Sequence, residues 1–179
     1  MRIVGGYLKG RRLKVPKNFH SRPTTDFAKE GLFNVLENNY NIEDKKILDL
    51  CSGTGNIAFE FISRGSNTVT CVDSSFNSIR FIKKNASELN IIDFLYLVKS
   101  DIIKFINRNE ISYDFVFADP PYVFDKYEQL IELVLNHDSI LNSHGVFILE
   151  HGRDHDFANC PYFSFIRKYG NVNFSFFIK

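Results

Sequence analysis

Strand-like and helix-like patterns alternate between residues 46 and 150, and this alternation restricts the fold more than any other property of the chain. Five short apolar runs predict buried strands, and the segments between them predict helices. The predicted strands are residues 46–51, 68–72, 94–98, 113–118 and 146–150, the last after a turn at Gly145. The predicted helices are residues 56–64, 75–89, 101–107 and 127–136. This order predicts right-handed crossovers and a mostly parallel sheet with helices on both faces.

A carboxyl-terminal hairpin completes seven predicted strands. Residues 163–169 and 173–178 have strand patterns, and Gly170-Asn171 between them is a turn signal. The pair should leave the last strand antiparallel to the rest of the sheet. We therefore predict an α/β fold with a mostly parallel seven-stranded sheet.

The amino-terminal part of the chain predicts a small basic appendage. Residues 2–7 and 11–15 alternate and predict a short hairpin, and a helix should follow from Thr24 or Thr25 to Leu36. We divide the chain into this appendage, residues 1–40, and a sheet domain, residues 41–179.

Charge is unevenly distributed along the chain. Residues 1–30 contain eight Lys or Arg and two acidic residues, whereas the remainder contains 14 basic and 19 acidic residues. This asymmetry favours a polyanionic partner bound at the basic end, although a solvated terminus would have the same composition. Three cysteines without Cys-x-x-Cys spacing, no signal peptide and no apolar run of membrane-spanning length predict a cytoplasmic protein.

The first predicted strand runs into a glycine turn that predicts a cofactor site. Gly53 and Gly55 allow a tight turn and the close approach of a ligand, and the next helix begins with free N–H groups. A dinucleotide fingerprint needs a third glycine, where Ala58 stands. Asp49 before the turn, with Ser52 inside it, suits an ammonium group better than a pyrophosphate. The pattern therefore favours S-adenosylmethionine, with an ordinary turn as the alternative.

Two further acidic residues follow the next two strands. Asp73 ends the second strand, where an acidic residue accepts from both ribose hydroxyls, although a simple turn residue is the alternative. Asp101 follows the third strand and can accept from the adenine amino group, with Ile102 beside the ring. Asp101 is equally suited to cap the helix that follows it.

The fourth strand ends in a corner formed by Asp119, Pro120, Pro121 and Tyr122. The prolines fix the backbone, and the carboxyl ends of strands are where open α/β sheets bind ligands. A carboxylate, a proline carbonyl and an aromatic face can hold a flat group that bears an exocyclic amine. We predict that Asp119, Pro120 and Tyr122 are catalytic and that no metal takes part. A rigid loop without chemistry is the alternative.

The glycine turn and this corner together resemble the amino-methylating S-adenosylmethionine-dependent methyltransferases. Three amino-terminal blocks and a helix end resemble, more narrowly, the bacterial 16S ribosomal RNA guanine-N2 methyltransferases of the small-subunit methyltransferase D type. These blocks are residues 2–6, residues 9–13, Arg22-Pro23-Thr24-Thr25-Asp26 and Ser63-Arg64-Gly65. The resemblance implies a Rossmann-like class I methyltransferase fold, S-adenosyl-L-methionine as cofactor and 16S ribosomal RNA in a small-subunit particle as substrate. We also expect a monomer.

The same resemblance implies contacts between the basic appendage and RNA. The implied RNA-binding residues are Arg2, Lys9, Arg11, Arg12, Arg22 and Thr24, although solvated surface is the alternative for each cation. The chain departs from the family pattern at Phe27-Ala28, where the family usually has arginines, which leaves only Lys29 in that block. Adenine N6, a protein glutamine amide and a non-catalytic RNA-binding role stay open as alternatives to guanine N2.

Overall fold

A computed structural model of the chain describes residues 1–16, 19, 24–121, 123–136 and 140–179. Its strands are β1 Lys46–Leu50, β2 Thr68–Asp73, β3 Leu95–Lys99, β4 Tyr113–Ala118, β5 Leu141–His151, β6 Phe163–Tyr169 and β7 Val172–Ile178. Its helices are α1 Asp26–Asn39, α2 Asn56–Ser63, α3 Phe76–Glu88, α4 Ile102–Ile106 and α5 Tyr127–Asn136, with a 3-10 turn at Ile92–Phe94. No helix within these described ranges is long and apolar enough to cross a membrane.

The strands form one seven-stranded sheet in the order β3-β2-β1-β4-β5-β7-β6. Strands β1 to β5 pair in parallel, and β7 is antiparallel to both β5 and β6. The predicted mixed sheet with a carboxyl-terminal antiparallel hairpin is confirmed. Because the first five strands are parallel, their carboxyl ends meet at one edge of the sheet.

Helices cover both faces of the sheet. Alternate residues of β1 point to opposite faces, so Ile47 packs with α1, α2 and α3, whereas Leu48 packs with α4 and α5. Side chains such as Phe33 and Leu130 are fully buried in the two layers. Each such side chain contributes about 1.5–3 kcal/mol by leaving water. This two-sided core holds the strand ends, and therefore the site above them, in fixed positions.

The amino-terminal hairpin is shorter than predicted, because it contains one antiparallel bridge rather than two full strands. Arg2 pairs with Arg12, and the Ile3 N–H donates to the Arg11 carbonyl at 2.9 Å. Beyond Gly6, which has a φ of 67°, the chain turns onto the end of α2. There the Tyr7 N–H donates to the carbonyl of Ser63 at 2.8 Å. The Ile3 N–H therefore pairs across the hairpin, whereas the Tyr7 N–H bonds to the end of a helix instead of a partner strand.

The amino-terminal segment also shares its core with the sheet domain. Ile3, Leu8 and Leu13 are buried in the same cluster as the apolar residues of α1 and α2. The division at residue 40 stays a prediction about which part of the chain carries the RNA contacts.

Strand β5 begins five residues earlier than the sequence indicated, so the predicted turn at Gly145 is wrong. Tyr113 pairs with Leu141 and Phe115 pairs with Val146, which leaves extra residues in β5. His144 takes up this irregularity in the left-handed region, with a φ of 64°. Gly145 therefore lies inside an irregular strand, which a sequence pattern does not distinguish from a turn.

Candidate active site

A cleft of about 1340 Å³ lies over the edge where the parallel strands end. Its lining includes one carboxylate from the end of each of these five strands: Asp49, Asp73, Asp101, Asp119 and Glu150. The cleft also brings together the predicted site residues Ser52, Gly53, Ile102 and Pro120, whereas Gly55 is not among the residues that line it. Two predicted site residues, Tyr122 and Arg22, lie outside the described residues.

The glycine turn has the backbone that its sequence predicts. Gly53 and Gly55 have φ values of 52° and 72°, in the region that favours glycine. A Cβ on Gly55 would lie 3.0 Å from Ile82 and 3.2 Å from Phe59, which is tighter than ordinary packing. Cys51 also adopts a positive φ, 61°, which the sequence did not indicate. The absence of a side chain at Gly55 therefore lets the turn pack closely against α2 and α3.

Asp49 is a buried carboxylate with an unsatisfied oxygen. Its exposed fraction is 1%, and its Oδ2 atom has no hydrogen-bond partner among the described residues. Burial, followed by the charges of Asp119 and Asp73, raises the pKa of Asp49 well above its usual value. A cationic donor would relieve this cost. The residues at the turn therefore fit the ammonium group of an aminoacyl ligand such as S-adenosylmethionine.

Asp73 and Asp101 are held in place by backbone donors. The Gly53 N–H and the Ser75 N–H each donate to Asp73 at 2.8 Å, which links the second strand to the glycine turn. The Lys104 N–H donates to Asp101 at 3.0 Å, so Asp101 does cap α4. The cap uses one carboxylate oxygen of Asp101, and the exposed side chain still lines the cleft. Its hydrogen bond from the adenine amino group stays a prediction.

The Asp119-Pro120 corner continues β4, which lies between β1 and β5 in the sheet. The Asp119 N–H donates to the Leu50 carbonyl at 3.3 Å, and Pro120 is buried. Beyond it, the Phe124 N–H donates to the Pro121 carbonyl at 2.7 Å and closes the turn. Burial raises the pKa of Asp119 to about 7, so both protonation states occur at neutral pH.

Glu150 is a site residue that the sequence analysis missed. Ala118 pairs with Leu149, so Asp119 and Glu150 follow at the ends of adjacent parallel strands. Glu150 is 7% exposed and accepts a hydrogen bond from the Thr24 hydroxyl at 2.8 Å. Burial and the charge of Asp119 raise the pKa of Glu150. Its position as the last residue of a predicted parallel strand was the signal that could have identified it.

The predicted RNA-binding residues occupy different environments. Lys9, Arg11 and Arg12 are exposed, and Arg12 lines the cleft. Arg2 is paired with Asp26 at 3.0 Å and lies 3.5 Å from Glu30. Thr24 is buried against Glu150, and Lys29 is fully buried. The cation that the chain retains after Phe27-Ala28 is therefore not accessible to RNA.

Comparison with solved structures identifies the fold. A hypothetical protein of Thermus thermophilus has a TM-score of 0.83 at 24% identity, with 99% of this chain and 98% of that chain covered. The Thermus thermophilus 16S rRNA N2 methyltransferase RsmC, solved with AdoMet and guanosine, has a TM-score of 0.73 at 18% identity. The match covers 89% of this chain and 45% of RsmC. The fold is that of the class I S-adenosylmethionine-dependent methyltransferases.

Sequence comparison gives the family. The model of the family described as Conserved hypothetical protein 95 matches residues 1–178, and the chain belongs to this family. Ribosomal RNA small subunit methyltransferase D of Haemophilus influenzae is 33% identical over 137 residues, which cover 75% of this chain and 70% of that protein. The predicted family and the prediction of S-adenosylmethionine as cofactor are confirmed.

Proposed function

We propose that this protein transfers the methyl group of S-adenosylmethionine to the exocyclic N2 amine of a guanine in 16S ribosomal RNA, acting as a monomer on a small-subunit particle. The observation that carries the proposal is that the glycine turn and the Asp119-Pro120 corner face the same cleft. Two comparisons support the choice of RNA guanine. One relative is named ribosomal RNA small subunit methyltransferase D, and RsmC, which shares the fold, is named as a 16S rRNA N2 methyltransferase.

On the cofactor side, each predicted residue has a role that its environment supports. The orphaned oxygen of Asp49 accepts from the ammonium group, and the backbone at Ser52, Gly53 and Gly55 borders the aminoacyl part. The fixed carboxylate of Asp73 accepts from the ribose hydroxyls. The adenine then contacts Asp101 and Ile102, which line the same side of the cleft. When bound, S-adenosylmethionine supplies a methyl group already activated on a sulfonium.

On the target side, Asp119 and Pro120 hold the amine. The nitrogen lone pair of guanine N2 is delocalised into the ring, which makes the amine a poor nucleophile. Two acceptors on its hydrogens, the Asp119 carboxylate and the Pro120 carbonyl, favour a more tetrahedral nitrogen and orient its lone pair. As the N–C bond forms, the bond between the methyl carbon and the sulfonium sulfur would break and leave a neutral thioether. The nitrogen must then lose one proton, and a carboxylate with a pKa of about 7 is well matched to accept it. Tyr122 is proposed to stack on the base.

On the RNA side, exposed cations hold the backbone while the base enters the cleft. We assign phosphate contacts to Lys9, Arg11, Arg12 and Arg22, and a weaker one to Arg2, whose charge is already shared with Asp26. Such contacts supply affinity and salt dependence rather than base choice. The target base must leave its stack to reach the corner, which costs least in a loop. Thr24 acts indirectly, through Glu150.

The proposal is tested by a labelled methyl-transfer assay. Small-subunit particles that lack the modification are incubated with the protein and methyl-labelled S-adenosylmethionine, and the RNA is digested to nucleosides. We expect the label in N2-methylguanosine. Label in N6-methyladenosine, or only on protein glutamine, would replace guanine with one of the alternative amines. Cofactor binding without transfer to any of these substrates would indicate a non-catalytic RNA-binding protein.

The rate of transfer should depend on pH through Asp119. Because burial holds the pKa of Asp119 at about 7, the carboxylate form is lost as the pH falls below that value. We expect kcat/KM to rise between about pH 6 and about pH 8, with its inflection near 7. Asp119→Asn keeps an acceptor oxygen without titrating, so its profile should be flat over this range. An inflection that persists in Asp119→Asn would assign the pH dependence to another group.

A further inference from the structure

Two cations of α3, Arg80 and Lys84, line the rim of the cleft and have no role in the site described above. Both are exposed, and their spacing of four residues places them on one face of the helix. Arg12 and Lys14 of the amino-terminal segment are also exposed, and they line the same cleft. Phe19 of that segment packs on Phe81 of α3, with ring centroids 5.3 Å apart. The two basic groups therefore belong to neighbouring elements.

These rim cations are available to an external anion. Within the described part of the chain, Arg80 forms no ion pair. Lys84 lies 3.8 Å from Glu88, but both side chains are mostly exposed, and such pairs contribute little. Six carboxylates also line the cleft, and two of them, Asp101 and Glu88, are exposed. The other four, Asp49, Asp73, Asp119 and Glu150, are buried or half-buried and attract groups that donate hydrogen bonds. The site therefore has a negative interior and a positive rim.

This charge pattern matches a nucleotide whose base is turned into the cleft. The amine-bearing edge of the base donates hydrogen bonds to the acidic interior, whereas the phosphates of its neighbours stay outside, near the rim. We propose that Arg80 and Lys84, together with Arg12 and Lys14, form a two-sided rim that binds RNA phosphates around the flipped nucleotide. The inference rests on the proposed function, because it takes RNA as the substrate.

A neighbouring lysine on α3 provides a matched control. Lys83 is exposed on the same helix and carries the same charge, but it does not line the cleft. The test compares Arg80→Glu with Lys83→Glu in the full-length protein, since both substitutions reverse one exposed charge. Binding of unmodified small-subunit particles is measured by filter binding over a series of KCl concentrations. Calorimetry measures S-adenosylmethionine binding, and the labelled assay measures transfer.

We expect Arg80→Glu to weaken particle binding about tenfold at low salt and to lower the slope of log K against log[salt] by about 1. Lys83→Glu should stay within about twofold of wild type, and neither variant should change cofactor affinity. Arg80→Gln, which removes the charge without reversing it, should give a smaller loss than Arg80→Glu.

Three results would contradict the proposal that the rim binds RNA phosphates. Equal losses of particle binding in Arg80→Glu and Lys83→Glu would indicate that RNA responds to the overall electrostatic field of the protein and not to a contact with Arg80. Weaker cofactor binding in Arg80→Glu would assign Arg80 to the cofactor carboxylate. Wild-type binding by both Arg80 variants would exclude a phosphate contact. Failure of the proposed function gives a different pattern, because the wild-type protein itself would then place no label in N2-methylguanosine.

Discussion

Replacing Asp119 with alanine should lower kcat for methyl transfer by about 10²–10³-fold, as the loss of one preorganised hydrogen-bonding group does in other active sites. The carboxylate is at the end of β4, in the same cleft as the glycine turn, and it supplies one of the two acceptors proposed for the amine. Single-turnover transfer to small-subunit particles, with saturating cofactor, measures the effect. Affinity for S-adenosylmethionine should change by less than about twofold.

Two variants make this prediction specific. Asp119→Asn retains an acceptor oxygen but cannot take the proton, so at about pH 8 it should be about 10²-fold slower than wild type and still faster than Asp119→Ala. Asp101→Ser keeps a side chain that caps α4 but shortens it on the adenine side of the cleft. It should raise the KM for S-adenosylmethionine with little effect on kcat. Unchanged turnover in Asp119→Ala would remove Asp119 from the mechanism.

The sequence predicted the parts of the site that depend on local patterns. A strand, a glycine turn and a helix follow one another within about ten residues, so periodicity and glycine positions sufficed to place Gly53 and Gly55. Asp73 and Asp119 were found by the same rule, because each follows a recognisable parallel strand. Glu150 also lies at the end of a predicted parallel strand, but no motif is next to it, so the sequence analysis did not select it.

What the sequence did not predict depends on residues that are far apart along the chain. Thr24 and Glu150 are 126 residues apart, and their hydrogen bond appears only when α1 packs against the sheet. The length of the amino-terminal hairpin was overestimated for the same reason. The sequence pattern pairs the N–H groups of this segment within the hairpin. In the structure, the Leu8 N–H donates instead to the Ser63 hydroxyl at 2.9 Å, and this bond holds the segment against α2.

The contacts of Ser63 and Arg64 give a physical reason for the family resemblance at Ser63-Arg64-Gly65. The Ser63 hydroxyl donates to the Gly5 carbonyl at 2.5 Å. The Arg64 guanidinium lies over the Phe33 ring, 4.4 Å from its centroid, and pairs with Glu60 and with Glu37. The basic amino-terminal segment therefore packs on this end of α2. A resemblance in sequence marked the position, and the contacts explain it.

Lys29 and Glu60 form a fully buried ion pair that connects this segment to the cofactor side of the protein. Their Nζ and Oε1 atoms are 2.9 Å apart, and both side chains are 0% exposed. Lys29 also donates to the Arg2 carbonyl at 2.5 Å and to Asn56 at 2.7 Å, so all three of its ammonium hydrogens have acceptors. Burial lowers the pKa of Lys29, and the charge of Glu60 opposes that shift.

The carboxylate of Glu60 is satisfied to the same degree. Oε1 accepts from the Val4 N–H at 2.6 Å, and Oε2 accepts from the Gly5 N–H at 3.3 Å and from Arg64. Asn56, which binds Lys29, also donates to the Thr24 carbonyl at 3.1 Å. Removing Lys29 would leave the buried Oε1 atom of Glu60 without its cation, although Arg64 stays paired with Oε2. Removing Glu60 would leave the buried ammonium without its carboxylate, and either loss is far more costly than losing an exposed pair.

Lys29→Met should therefore lower the free energy of unfolding by about 3–5 kcal/mol, measured by urea denaturation. Lys84→Met, which breaks only the exposed pair with Glu88, should cost no more than about 0.5 kcal/mol. Lys29→Met combined with Glu60→Gln should lose less than the sum of the single variants, because the uncompensated charge is gone. Hydrogen exchange at Val4 and Gly5 should accelerate in Lys29→Met, since their acceptor is released. A loss below about 1 kcal/mol, with Val4 and Gly5 still protected, would show that apolar packing alone fixes the amino-terminal segment.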